Sequence, residues 1–237
     1  MTPQTSFVVV APPETAFPDP ESAPASGLVA FGGELTVERL IDAYSSGVFP
    51  WFDSDAEPVQ WWSPDPRAVL ELGDLRISRS LAKRLRRREF DVTMDTAFED
   101  VVARCAAPRR ATSGTWITHA MQRAYLDLHV QGCAHSVEAW HAGELVGGLY
   151  GVSLGRMFFG ESMFAEQTDA SKFALVYLIR QLHAWSFDLV DCQIMNDHLA
   201  SLGASTMPRR AFLQRLKHNR THPTRMGPWR LEVDLAG

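Results

Sequence analysis

Asp191, Cys192 and Gln193 close a short apolar run, Leu189–Gln193, that reads as a strand. Side chains alternate along a strand, so Asp191 and Gln193 share one face and Cys192 takes the other. A primary amide is no strong base, but its oxygen accepts hydrogen bonds from N–H and O–H groups. A carboxylate beside it can polarise or orient that amide, or carry a proton. Residue types alone favour a plainer role for Asp191, as a strand-end carboxylate in a salt bridge. Glu161, in GESMF, is a second acid, and Asn196 lies just beyond the strand.

A second group of residues suits a polyanion. From Arg76 to Arg88, seven of thirteen residues are basic and none is acidic. At helical spacing Arg79, Lys83, Arg86 and Arg87 fall within one arc, while Leu81 and Leu85 sit on the far side. A one-sided basic stripe matches a phosphate backbone. The bland alternative is a solvated helix face; the lack of any interspersed acid favours RNA. Aromatic residues form the third group. Trp51, Trp61 and Trp62 lie close together, and Trp116 follows a glycine in SGTWIT. For Trp61 and Trp62 the preferred reading is packing in the seam between two domains.

These groups need a scaffold, and the pattern supplies one. A helix capped by Thr36 carries Val37, Leu40, Ile41 and Tyr44 on one face and ends at Gly47. Prolines at Ser63–Pro66 mark a domain boundary before an apolar strand at Ala68–Leu72. The basic helix follows, then a helix opened by Asp95 with Phe98, Val101, Val102 and Cys105 on one face. Thr118 opens another, which Gly132 closes. Strands at Ser136–His141, Leu145–Leu154 and Met157–Met163 form a meander with turns at Ala142–Glu144 and Gly155–Arg156. A long helix over Ala170–Trp185, the strand at Leu189–Gln193 and two short helical pieces complete the chain, one ended by Gly203 and one begun by Pro208. This order is α+β and fits the topology of GNAT-type acyltransferases.

Composition excludes several classes. The 237 residues are 46% hydrophobic and 22% charged, ordinary for a globular protein with a sizeable core. No apolar run is long enough to span a membrane, and the start lacks a secretory pattern. Cys105, Cys133 and Cys192 form no CxxC pair, so neither a disulfide framework nor a metal site is expected. These features predict a reduced, cytoplasmic protein without a cofactor. The net charge of −5 argues against indiscriminate nucleic-acid binding, which leaves the local basic stripe as the electrostatic feature.

Five segments carry a resemblance: GLVAFGGELTVERLIDAYSSGVFPWF, WWSPDPRAVL, TWIT, HSVEAW…GELVGGLYGVSLGRMFFGESMF and DCQIMNDHLASLGASTMPRR. Together they resemble the leucyl/phenylalanyl-tRNA–protein transferase family from about Phe17 to Leu216. The resemblance implies a small N-terminal domain (1–65) packed on a GNAT-like catalytic domain (66–237). It implies transfer of Leu or Phe, and less readily Met, from aminoacyl-tRNA to proteins beginning with Arg or Lys, marking them for degradation. A monomer is expected. Basic residues of the stripe, with Arg84, would grip the acceptor stem. Trp51 and Trp116, joined by Tyr44, would contact the terminal adenosine, whose unpaired base offers a π-face. Leu149, Phe158, Met163, Leu175 and Leu178 would line an apolar pocket for the donor side chain, where Met suits varied shapes. Leu stands at 149 and 178, where Met and Phe can stand in the family. From sequence alone, core packing explains all five equally well. Simple alternation separates Phe158 from Met163, and a bulge at Gly160 would reconcile them. Asn196 would hydrogen-bond the aminoacyl-adenosine end, and Glu161 would complement the acceptor's basic side chain.

Such a reaction asks little of a base. The donor ester is already activated, and an α-amine of pKa about 7.7–8 is partly neutral at pH 7. Positioning should dominate, with Gln193 accepting a hydrogen bond from the amine and Asp191 orienting Gln193 or shuttling its proton. Three competing readings carry less. An acetyl-CoA-dependent acetyltransferase needs a glycine-rich pyrophosphate loop, and Glu166–Lys172 contains no glycine. A Cys192/His198 thiol enzyme conflicts with strand parity. A non-catalytic RNA-binding module leaves Asp191 and Gln193 without a purpose.

Overall fold

The computed structural model describes residues 8–9, 15–107 and 117–232. Trp116 and the TWIT segment's first residues fall outside these. Two sheets divide the chain. The first has the order β1-β2-β4-β3, from Val8–Val9, Leu28–Phe31, Phe49–Pro50 and Gln60–Trp62. Between β2 and β3 runs α1 (Val37–Ser45), whose Arg39 N–H donates to the capping Thr36 hydroxyl. A cis Asp65–Pro66 bond follows β4. The second sheet begins at residue 67, at the prolines that the sequence marks as a boundary.

The second sheet has seven strands in the order β11-β5-β10-β9-β8-β7-β6. They are β5 (Arg67–Glu71), β6 (Asp91–Met94), β7 (Ala134–His141), β8 (Glu144–Leu154), β9 (Met157–Ala165), β10 (Leu189–Gln193) and β11 (Ser205–Met207). β7, β8 and β9 form the expected meander. Ala142 and Gly143 both have positive φ, the geometry a two-residue hairpin turn requires. After β9 the chain crosses through α5 (Ala170–Ala184) and returns as β10, parallel to β9 and antiparallel to β5.

Helices cover both faces of this sheet. On one face α3 (Phe98–Ala106), α4 (His119–Val130) and α7 (Arg209–Asn219) join α1 in a single apolar cluster with Tyr150, Val152 and Phe159. That cluster includes Leu40, Tyr44 and Trp61, so the small sheet and the large one share one core. On the other face α5 packs with Leu149, Phe158, Val190 and Trp229, and α2 (Arg79–Arg86) lies beside it through Leu81. α6 (Asp197–Ser201) follows β10.

Six strands and one cap depart from the sequence reading, which has none of the first sheet's four strands and lacks β6 and β11 in the second. β6 and β11 are short edge strands, and their brevity hides any alternation. Asp95 does not open α3; the residue before the helix is Ala97, which makes no side-chain cap. Asp95 instead has φ 54° and takes the N–H groups of Ser136 and Trp229 and the ring of His135. Its carboxylate fastens β6, β7 and the C-terminal segment together, two residues ahead of the cap position that Ala97 holds.

Candidate active site

Two bulges at neighbouring points of β9 and β10 build the site. Opposite β8, Tyr150 pairs with Ser162 but Gly151 pairs with Gly160, so Glu161 is the extra residue. The bulge beside Gly160 changes the parity of β9. Phe158 and Met163 therefore both join the apolar cluster that contains Leu149, Leu175 and Leu178. Glu161 turns to the opposite face, where α1 and α4 deliver Tyr44 and Tyr125. On β10, the register shifts between Asp191 and Gln193, and Gln193 adopts a left-handed φ of 62°.

The polar groups form one buried chain. The Glu161 carboxylate accepts from the Tyr44 hydroxyl at 2.7 Å, the Tyr125 hydroxyl at 2.6 Å and the Gln193 Nε2 at 2.8 Å. The two phenol oxygens are themselves 2.5 Å apart. A carboxylate facing Gln193 demands the amide's N–H, and this assigns the Gln193 oxygen to the other side. Asp191 Oδ1 accepts the Gln193 backbone N–H at 2.9 Å. Arg67 closes the chain with a two-pronged contact to Asp191, 2.8 Å from Nε and 2.6 Å from Nη2. Both members of that pair are fully buried.

Burial dominates the electrostatics. It raises Glu161 to about 7, and the nearby Asp191 pushes in the same direction against the three donors. Burial also lifts Tyr44 and Tyr125 well above the usual phenol range, so they remain donors to Glu161. The Cys192 thiol is pushed far up by burial and by Asp191. Cys192 packs with the apolar cluster on the α5 face, away from Glu161. Thiolate chemistry at this position is disfavoured on both counts.

The other expected residues fall into three groups. Leu149, Phe158, Leu175 and Leu178 are buried side by side, with Met163 partly exposed at their margin. Trp51 is exposed, its ring 5.7 Å from Trp62, while Trp61 is wholly buried. Asn196 is exposed, and its Oδ1 caps α6 by accepting from the Leu199 N–H. Trp116 lies outside the described residues. Tyr44 requires a correction as a stacking surface for a base. It is completely buried, and its hydroxyl is committed to Glu161, because α1 turns this face into the core shared by the two sheets.

The basic helix separates in the same way. Arg79, Lys83, Arg86 and Arg87 are exposed, while Leu81 is buried and Leu85 partly so. Arg84 differs. Its guanidinium binds Glu89, Asp169 and the Thr168 carbonyl, and thereby ties α2 to the start of α5. We expect Lys83→Ala, Arg86→Ala and Arg87→Ala together to weaken tRNA binding and to lower the slope of log affinity against log salt by roughly 2–3. Filter binding across salt concentrations measures this, and an unchanged slope would return the stripe to ordinary surface charge. Arg84→Ala should instead lower the melting temperature.

Sequence reasoning missed Arg67 and Tyr125. A charged residue opening the apolar run RAVL was one signal, since a buried cation needs a partner. Tyr125 sits at core spacing with Met121 and Leu128 on α4, where a phenol is hard to tell from a packing residue.

Comparison with known proteins shows the family of this chain. The family profile described as leucyl/phenylalanyl-tRNA protein transferase matches residues 69–217, and the profile for that family's N-terminal domain matches residues 33–65. A leucyl/phenylalanyl-tRNA–protein transferase of Thiobacillus denitrificans is 52% identical over 227 residues, covering 96% of this chain and 97% of the relative. One from Nitrosospira multiformis is 54% identical over 204 residues, covering 86% and 88%. One from Pseudomonas fluorescens is also 54% identical over 204 residues, covering 86% and 89%. With that identity over 96% of the chain and a family profile matching residues 69–217, the chain belongs to the leucyl/phenylalanyl-tRNA–protein transferase family and is an aminoacyltransferase.

Proposed function

We propose that this chain transfers Leu or Phe, and less readily Met, from aminoacyl-tRNA to the α-amine of proteins that begin with Arg or Lys. The product carries an N-terminus that marks it for degradation, and the reaction takes place in the cytoplasm, where charged tRNA is found. The observation that carries the reading is the Glu161–Gln193 contact. It turns the amide oxygen of Gln193 away from the carboxylate, free to receive an amine, with the apolar cluster of Phe158, Met163 and Leu175 on the other side of the same strands.

In the reaction the amine nitrogen attacks the ester carbonyl carbon, the bond to the 3′ oxygen of the tRNA breaks, and an amide forms. The amine loses a proton and the 3′ oxygen gains one. Gln193 Oε1 accepts a hydrogen bond from the amine and aligns its lone pair with the carbonyl. The Glu161 oxygens already take three donors, so Glu161 attracts a basic acceptor side chain through its charge rather than by a direct contact. The donor side chain enters at Met163, the exposed margin of the apolar cluster. The exposed Trp51 receives the terminal adenosine, and the α2 stripe holds the acceptor stem. The meander, the α5 crossover and the parallel β10 support a GNAT-like catalytic domain from residue 66, with residues 1–65 as the small domain. One chain supplies all of these groups and acts as a monomer.

A short acceptor-stem RNA carrying Phe should serve as donor to an Arg-initiated peptide and fail with a Glu-initiated one. Radiolabel transfer to the peptide measures it. A requirement for full-length tRNA would overturn the division of labour between the pocket and the stem. Equal transfer to both peptides would overturn the acceptor preference.

A further inference from the structure

Arg67 stands where the two sheets and the site meet. It is the first residue of β5 and is completely buried. Its guanidinium is flanked by the rings of Phe49, at 4.8 Å, and Phe212, at 4.5 Å. Nη1 donates to the carbonyl of Gly47 at 3.1 Å, in the turn that joins α1 to β3. The Nε and Nη2 edge takes both oxygens of Asp191. One cation therefore joins the end of the Tyr44 helix to the residue that holds the Gln193 backbone.

Stability alone is a weak account of this arrangement. A buried ion pair seldom outperforms apolar residues of the same volume, because both charges must be stripped of water. Geometry accounts for it better. Gln193 occupies left-handed backbone space that a residue with a Cβ avoids. What holds it there is the bond from its N–H to Asp191 Oδ1, and Asp191 is itself fixed by a planar fork that Lys cannot reproduce. Both Asp191 oxygens are engaged in this way, which suits a fixed acceptor better than a moving proton carrier.

We propose that Arg67 is a positioning residue for the transfer reaction. Acting through Asp191, it sets the backbone of Gln193 so that the amide spans from Glu161 to the incoming amine. This rests on the function proposed for Gln193 above. It reassigns Asp191 from proton shuttle to scaffold.

The test compares Arg67→Lys and Arg67→Gln with Val152→Ala, a buried apolar substitution that removes no member of the chain of polar groups. Single-turnover transfer of Phe to an Arg-initiated peptide is measured at saturating donor and acceptor, at a temperature where each variant is folded by near-ultraviolet circular dichroism. The side-chain amide signal of Gln193, assigned by its loss in Gln193→Ala, is followed by nitrogen-15 NMR. Arg67→Lys should lower the saturating rate about 100-fold, the scale of a 1 Å misplacement, with donor affinity changed less than about twofold. The Gln193 signal should lose its hydrogen-bonded shift. Val152→Ala should lose melting temperature while keeping both rate and signal. If Arg67→Gln does not fold, Arg67→Lys decides. A rate and a Gln193 signal that survive Arg67→Lys would overturn the proposal, as would an equal loss of rate in Val152→Ala. A wild-type protein that shows the hydrogen-bonded Gln193 signal but transfers nothing counts against the function instead, and the response of that signal to Arg67→Lys still tests the positioning.

Discussion

Gln193→Ala is expected to reduce single-turnover transfer about 100-fold while leaving tRNA binding and folding largely intact. The activated ester and the partly neutral amine set the scale. Nothing here needs a powerful base, so what is lost is alignment, and misalignment costs about that much. Asp191→Asn should fall in the same range by a different route, since an Asn cannot hold Arg67 with two oxygens and the Gln193 N–H together. Cys192→Ala should keep most activity, because the sulfur packs on the α5 face. Raising the pH should not rescue Gln193→Ala or Asp191→Asn if placement limits both. The measurement is transfer to an Arg-initiated peptide from pH 6 to 9 with all three variants. A folded but inactive Cys192→Ala would revive thiol chemistry. Full rescue of Asp191→Asn at high pH would restore proton transfer as the role of Asp191.

Glu161→Gln should change how both stability and rate depend on pH. Folding raises the Glu161 carboxyl from its ordinary value near 4.5 to about 7, chiefly by burial. Between those values the folded chain holds a proton that the unfolded chain has released. Stability from this group is therefore full below about pH 4.5 and is lost as pH rises through about 7, by roughly 3 kcal/mol in all. Denaturant unfolding from pH 4.5 to 8 should show that decline in the wild type and a flatter line in Glu161→Gln. Parallel lines would mean that Glu161 does not titrate in this window.

The rate should move the opposite way. Ionised Glu161 can only accept, which holds the Gln193 amide with Nε2 inward, whereas the protonated acid can also donate to Gln193 Oε1 and so leaves both amide orientations open. Below pH 7 both this carboxylate and the acceptor amine lose their active forms. The slope of log rate against pH should therefore approach about 2 in the wild type and about 1 in Glu161→Gln, which should also be slower throughout. Identical slopes would remove Glu161 from the orientation of Gln193.

The sequence alone determined whatever depends on neighbours along the chain. The caps at Thr36 and Thr118, the turn at Ala142–Gly143, the strand Leu189–Gln193 and the stripe on α2 all follow from local sterics and periodicity, and the structure has them. The motifs carried the family for a different reason, since four long segments and one short one in a fixed order do not coincide by chance. Only the tertiary structure decided which polar groups meet. Tyr44 and Tyr125 lie 81 residues apart, and Arg67 and Asp191 lie 124 apart. No local pattern encodes such contacts, because they arise where sheets and helices dock. Asp95 shows the same limit, since a residue with the right chemistry for a cap was claimed by a distant tryptophan and histidine. The bulge at Glu161 lies between these extremes. Gly160 marks a place where β9 can change parity, but only pairing with β8 makes Glu161 the extra residue and turns it toward Gln193. A one-residue change of register moves a side chain from one face of a sheet to the other, and registers are set between strands rather than within them.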